Sequence, residues 1–78
     1  MEREIKPGQR WMHYKGSEVE IICLALDSED LKELVVYKHI EAARGMPAGQ
    51  VWVRPKKMFL GNVVKNGKEV ERFTLVKD

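Results

Sequence analysis

Short runs in which apolar and polar residues alternate recur along this chain, and they predict strands rather than helices. Glycine, proline and asparagine separate the runs. Asn66-Gly67 predicts a type I′ hairpin turn, because these residue types accept positive φ at both central positions. The segments predicted as strands are 9–14, 19–26, 33–40, 50–54, 62–65 and 69–76. Five or six short strands with almost no helix predict an all-β domain, built as a small open antiparallel barrel.

The stretch 51–59 is the part of the pattern around which the rest is organised. Pro55 has no backbone N–H, so the strand over 50–54 is predicted to stop there. A short 3₁₀ turn near residues 55–60 is expected to follow. This turn would return the apolar pair Met58 and Phe59 to the interior, where both side chains plug one end of the barrel.

Three other segments carry weaker expectations. The run 19–26 becomes apolar on both faces, which is typical of a strand that is buried on both sides at one end. Cys23 lies within this run and is predicted to be a small core residue rather than a reactive thiol. Residues 41–50 contain two glycines and a proline and predict a flexible loop, and residues 1–8 are interpreted as a polar lead-in.

At 78 residues the chain is predicted to be one domain over 1–78, with an ordered core over about 7–76. A single cysteine excludes an internal disulfide and fits a reducing compartment. No apolar run is long enough to cross a membrane, and the first residues lack the apolar core of a signal peptide. We therefore expect a cytoplasmic protein with no membrane partner.

The formal charge of +2 is unevenly distributed along the chain. Residues 1–40 carry six basic and eight acidic side chains, whereas residues 41–78 carry eight basic and four acidic ones. Nucleic-acid binding through this basic half is an alternative function, with aromatic side chains as stacking platforms. The residues that could serve it are Arg54, Lys56, Lys57, Lys65, Lys68 and Arg72, with Trp11, Tyr14, Tyr37 and Trp52. The basic excess is smaller than a dedicated nucleic-acid-binding domain shows, so we expect only weak binding.

Catalytic and metal chemistry find little support in the sequence. His13, His39, Cys23 and Asp27 lack the spacing of a metal-binding motif, so we expect neither a metal nor a cofactor. No pattern places a serine or Cys23 beside a histidine with an orienting acid, and no glycine-rich phosphate loop is present. The sequence thus favours a protein that is not an enzyme.

Several short motifs resemble those of a known family. The segment Trp11-Met12-His13-Tyr14-Lys15-Gly16 is similar to the Tyr-Arg-His-Phe-Lys-Gly signature of the DUF1653 family. Further segments match the family in order: Ser28-Glu29, Glu33-Leu34-Val35-Val36-Tyr37, Trp52-Val53-Arg54-Pro55, Met58-Phe59 and Arg72-Phe73. The resemblance covers roughly residues 7–76. It implies a small bacterial protein with an SH3-like barrel fold, and it implies no known activity, cofactor or partner.

This chain departs from the family pattern at three places. Cys23 stands where a glycine is usual, and Asp27 stands where a histidine is usual, which puts any role of that histidine in doubt. The loop 41–50 is longer than the family's. The segment 54–59 also resembles the proline-containing 3₁₀ turn of SH3 domains, which helps to line a peptide groove, although such fold analogy is weak support for function.

The function predicted from these features is a non-enzymatic binding module that recognises a protein segment or a small anionic or polar ligand. The candidate ligand-binding residues are His13, Tyr14, Lys15, Tyr37, Trp52 and Arg54. His13 and Arg54 each lie two positions from a tryptophan on their own strands, so we expect them to emerge together at one mouth of the barrel. Arg54 has two interpretations, which are an anchor for an anion and a salt bridge with Glu33 or Glu18.

Overall fold

Seven strands and a single-turn helix make up the computed structural model, which describes residues 4–78. The strands are β1 (Arg10–His13), β2 (Glu18–Leu26), β3 (Glu33–His39), β4 (Val51–Pro55), β5 (Asn62–Lys65), β6 (Lys68–Glu71) and β7 (Phe73–Lys77), and the helix is α1 (Lys56–Phe59). The all-β fold class is confirmed. No helix in the described part of the chain is long and apolar enough to span a membrane. Residues 1–3 of the predicted lead-in lie outside the described residues.

The strands form one antiparallel sheet in the order β4-β3-β2-β1-β7 and a separate hairpin of β5 and β6. The two sheets are not closed into a barrel. In place of the expected open barrel, the structure has a five-stranded sheet and a separate hairpin. The hairpin turns at Asn66 (φ 52°) and Gly67 (φ 76°), and this confirms the turn predicted from Asn-Gly. β4 ends at Pro55 as predicted, but the turn that follows is one turn of α-helix rather than 3₁₀.

The predicted strand over 69–76 is two strands in the structure. β6 pairs with β5, whereas β7 pairs with β1, so the chain changes partner at Arg72. The N–H of Arg72 donates to the carbonyl oxygen of Gly61, and its carbonyl oxygen accepts a hydrogen bond from the N–H of Tyr14. These two bonds fix Arg72 between the hairpin and the end of β1.

The core lies on one face of the five-stranded sheet. Its buried side chains are Ile5, Trp11, Val19, Ile21, Val35, Tyr37, Phe59 and Phe73. We call this side of the sheet the inner face. Phe59 is fully buried as predicted, but the prediction for its neighbour Met58 is wrong, because Met58 is 48% exposed. The side chains of adjacent helical residues point about 100° apart, so this short helix directs only Phe59, and not Met58, toward the core.

The apolar end of β2 is exposed, so the prediction that it is buried on both sides is wrong. A bulge between Ile21 and Cys23 shifts the register, and Cys23 then pairs with Val36 on the face opposite the core. Cys23 is therefore exposed rather than part of the core. Ile5, in the predicted polar lead-in, is instead a buried core residue.

Candidate functional site

A cavity of about 510 Å³ opens on the inner face of the sheet, and we call it the inner-face cavity. All six side chains named from the sequence as candidate ligand-binding residues line it. The complete lining is His13, Tyr14, Lys15, Ser17, Tyr37, His39, Ala43, Arg44, Trp52, Arg54, Arg72 and Phe73. Segments that are far apart in the sequence therefore meet at one surface.

The pairing of the strands explains why these side chains converge. Trp52 lies opposite Tyr37 in the β3–β4 ladder, and Arg54 lies opposite Val35. Residues that are directly opposite in an antiparallel pair project from the same face, so Trp52 and Arg54 share the inner face with Tyr37. At the other edge of the sheet, His13 is opposite Phe73 in the β1–β7 ladder. Their rings meet edge to face, with 5.0 Å between the ring centres.

The charge of the lining is entirely basic. Lys15, Arg44, Arg54 and Arg72 contribute four cations, and no Asp or Glu lines the cavity among residues 4–78. The ion pairs of this part of the chain are Lys6–Glu4, Arg10–Glu18, Lys32–Asp30 and Lys56–Glu33. None of them includes a cation of the cavity, so no carboxylate of residues 4–78 forms an ion pair with the cationic lining.

Arg54 has no salt bridge with Glu33 or Glu18, which were the two partners considered for it. Glu33 forms a salt bridge with Lys56, and Glu18 forms one with Arg10, each with 3.3 Å between nitrogen and oxygen. The Nε–H of Arg54 instead donates to the hydroxyl oxygen of Tyr37 at 3.4 Å, and its guanidinium lies 5.9 Å from the centre of the Phe73 ring. Neutral groups thus position this guanidinium, and no carboxylate of the described residues forms an ion pair with it.

The histidines of the cavity are neutral at pH 7. Burial, together with the neighbouring cations Arg54, Arg72 and Lys15, lowers the pKa of His13 to about 4. Burial, together with Arg44 and Arg54, also lowers the pKa of His39. The Nδ1 of His13 accepts a hydrogen bond from the N–H of Lys15 at 3.2 Å, so its proton resides on Nε2.

Three buried nitrogen atoms around the cavity have no hydrogen-bond partner within residues 4–78. They are Nδ1 of His39, Nε1 of Trp52 and Nε of Arg72. A buried polar atom without a partner costs about 1–3 kcal/mol, and most such atoms in folded proteins are satisfied. All three atoms belong to residues that line the inner-face cavity.

The loop 41–50 contributes a cation through a tight turn. Ala43 and Met46 exchange backbone hydrogen bonds of 3.0 and 2.9 Å, and the residues between them, Arg44 (φ 55°) and Gly45 (φ 78°), both have positive φ. This turn holds the Arg44 guanidinium 5.6 Å from the centre of the Trp52 ring, in a cation–π contact. The site therefore includes part of a loop for which the sequence predicted only flexibility.

Four polar residues of the cavity were missed as candidate site residues: Ser17, His39, Arg44 and Arg72. His39 was identifiable in principle, because alternation places it on the same face of β3 as Tyr37. Arg72 belongs to the Arg72-Phe73 motif and was considered only for nucleic-acid binding. Arg44 carried no signal in the sequence, because its position depends on the turn of the loop. Among residues 4–78, no three His, Cys, Asp or Glu side chains lie together as metal ligands would.

Comparisons with known proteins agree with the motifs found in the sequence. A family model described as "Protein of unknown function (DUF1653)" matches residues 9–75. The structure is similar to the crystal structure of a DUF1653 protein from Bordetella bronchiseptica, with a TM-score of 0.76 and 27% sequence identity. The similarity covers 95% of this chain and 90% of that protein. No protein of curated function matches this chain.

Proposed function

This chain belongs to the DUF1653 family, whose function is unknown, and we propose that it is a non-enzymatic binding module for a small anionic ligand. The inner-face cavity is the proposed binding site. The observation that carries the proposal is its cationic lining, in which four basic side chains meet without a carboxylate from residues 4–78. Uncompensated like charges at close range repel one another, and an anion that binds among them removes this repulsion.

The chemistry of the lining suits a carboxylate, sulfate or phosphate. Arg54 and Arg72 each present a planar guanidinium, which can donate two parallel hydrogen bonds to such a group. The Nε2–H of His13 adds a neutral donor beside them. Each charge-assisted hydrogen bond contributes about 1.5–3 kcal/mol, so two or three of them support binding at micromolar to millimolar concentration once the entropy of association is subtracted.

A binding role also fits better than a catalytic one. Ser17 and His13 both line the cavity, but a serine–histidine nucleophile requires an acid that orients the imidazole. No acidic side chain within residues 4–78 lines the cavity, and burial together with the surrounding cations lowers the pKa of both histidines. His13 is thus a weak base, which is poorly matched to proton transfer at neutral pH.

Chemical-shift mapping of the labelled protein with sulfate, phosphate, acetate and an acidic peptide tests the proposal. We expect the amides of residues 11–16 and 52–55 to move, and Arg54→Gln to weaken sulfate binding by at least about tenfold, which corresponds to one charge-assisted hydrogen bond. Arg10→Gln is the matched control, because Arg10 pairs with Glu18 outside the cavity. It should leave the affinity within about twofold. If no amide in these two segments moves at millimolar ligand, the anion site does not exist and Arg54 is structural.

Nucleic-acid binding remains the second candidate, because aromatic rings and cations occur together in the cavity. Two lysines of the basic half are engaged elsewhere: Lys56 pairs with Glu33, and Lys65 donates to the carbonyl oxygen of Tyr14. We therefore expect weak, sequence-independent binding whose affinity falls steeply with salt, as phosphate contacts require. Micromolar or tighter binding to single-stranded DNA or RNA at physiological salt would rank this function first.

A further inference from the structure

The inner-face cavity is larger than an inorganic anion needs. Its volume of about 510 Å³ lies within the range of roughly 300–1,000 Å³ that is typical of pockets for organic ligands. Arg54 and His13 lie against the Phe73 ring at one end of the lining, and Arg72 lies close enough to His13 to lower its pKa. A different set of side chains, Trp52, His39 and Arg44, forms the other end, which we call the tryptophan end.

The polar atoms of the tryptophan end are neutral. Nε1 of Trp52 can only donate a hydrogen bond, whereas Nδ1 of neutral His39 can either donate or accept. Both atoms are buried without a partner within residues 4–78, and His39 as a whole is only 7% exposed. The two rings meet edge to face, with 5.8 Å between their centres. Such a pair suits a neutral ligand group with adjacent hydrogen-bonding atoms, as at the edge of a heterocyclic base.

The walls of the cavity offer surfaces on which a flat ring can stack. The Arg44 guanidinium lies over the Trp52 ring at one end, and Tyr14, which is partly exposed, also lines the space. Aromatic side chains and arginine planes are the groups on which proteins commonly stack nucleic-acid bases, and each stacked base contributes about 1–3 kcal/mol. A ring held in this way would extend from the cationic end toward Trp52 and His39.

We propose that the ligand joins its anionic group to a planar nitrogen heterocycle, as a free nucleoside monophosphate does. The arginines bind the phosphate, and Trp52 and His39 bind the edge of the ring. The inference rests on the proposed anion-binding function, since it specifies the class of anion. Trp52 and His39 thereby become the residues that distinguish this ligand from a simple phosphate.

Indole resonances of the labelled protein test this inference directly, because the chain has two tryptophans. Trp11 is fully buried, and its Nε1–H already donates to the side-chain oxygen of Gln9 at 3.1 Å. Its resonance is therefore an internal control, whereas the Trp52 resonance reports on the cavity. The probes are the four ribonucleoside 5′-monophosphates, the corresponding nucleosides, ribose 5-phosphate and sulfate.

We expect at least one nucleoside monophosphate to bind about tenfold or more tightly than ribose 5-phosphate and to shift the Trp52 indole signal but not that of Trp11. Trp52→Phe keeps an aromatic ring but removes the donor. It should reduce the preference for the nucleotide about three- to tenfold, the effect of one neutral hydrogen bond, and leave ribose 5-phosphate binding within about twofold. His39→Gln provides a second variant if Trp52→Phe does not fold.

The possible failures are distinguishable. If ribose 5-phosphate binds as tightly as every nucleotide and the Trp52 indole signal does not move, the inference is wrong while the anion site stands. If no anion shifts any resonance of the cavity, the proposed function fails as well. An oligonucleotide that binds more than about tenfold tighter than each monophosphate would overturn the assignment to a free nucleotide.

Discussion

Replacing Phe59 by alanine should remove most of the stability of this domain. The Phe59 ring is fully buried and stacks on Phe73 with 4.0 Å between ring centres and 5° between their planes. It also meets Trp11 and Tyr37 edge to face, at 5.4 and 5.7 Å. One side chain of a single-turn helix thus contacts three of the largest rings of the core.

The expected loss follows from burial and from these contacts. A buried Phe→Ala substitution costs about 3–5 kcal/mol, because apolar area returns to water and a cavity remains. Each aromatic pair adds about 0.5–1.5 kcal/mol beyond its area, so a value near the upper end is expected here. A folded domain has about 0.05–0.15 kcal/mol of stability per residue, which is roughly 4–12 kcal/mol at this length. Phe59→Ala should therefore leave a domain that is marginally folded at best.

Thermal unfolding followed by circular dichroism measures this effect. About 4–8 °C of melting temperature is lost per kcal/mol in a domain of this size, so Phe59→Ala should melt at least about 12 °C below the wild type. Met58→Ala is the matched control, because Met58 lies in the same helical turn but is 48% exposed. It should change the stability by less than about 1 kcal/mol. A Phe59→Ala melt within a few degrees of the wild type would refute the role of Phe59 as the plug of the core.

Two further predictions concern single side chains. Stability should fall as the pH is lowered from about 6.5 toward 4, because in this window the unfolded state protonates His13 while its lowered folded-state pKa keeps the native imidazole neutral. Urea unfolding at several pH values should show a smaller fall for His13→Gln, and an equal fall would contradict the assignment. Cys23 is exposed, so a thiol reagent should label the native protein as fast as the urea-unfolded chain. Labelling that is limited by the rate of unfolding would contradict the exposed position.

Local sequence signals were sufficient to predict the strand segments. β1 to β5 each lie close to a segment in which apolar residues alternate or form a short run, and turn residues separate them. Asn66-Gly67 fixed the hairpin, and Pro55 fixed the end of β4, because each imposes a backbone geometry that depends little on tertiary contacts.

The errors arose where pairing with another strand decides the outcome. The alternation over 69–76 is continuous, yet the chain changes partner at Arg72, and nothing local to this segment marks the change. The bulge in β2 is likewise not marked in the local sequence. Its additional residue moves Cys23 to the face of the sheet opposite the core. Met58 and Phe59 are equally apolar in character, and only the geometry of α1 determines which of them is buried.

The candidate site was accessible from sequence to the extent that it lies on regular strands. His13 and Arg54 each lie two positions after a tryptophan on their own strands, and this spacing predicted that they would lie together. Both side chains line the inner-face cavity. Arg44 could not be found in this way, because its place depends on positive φ in a loop turn. The basic excess of residues 41–78 indicated cations, but composition cannot show that they surround one cavity.

The electrostatics of the cavity connect the stability of the domain to the proposed function. Burial is the main reason why the pKa of His13 lies near 4, and the cations of the lining lower it as well, because they disfavour the protonated imidazole. Arg54 adds a positive charge to this lining, and its Nε–H donates a hydrogen bond to the neutral hydroxyl oxygen of Tyr37. A bound anion would relieve the repulsion and would stabilise the folded domain in proportion to its occupancy. On the proposed function, the charge repulsion that weakens the free domain is the same feature that would favour binding of an anion.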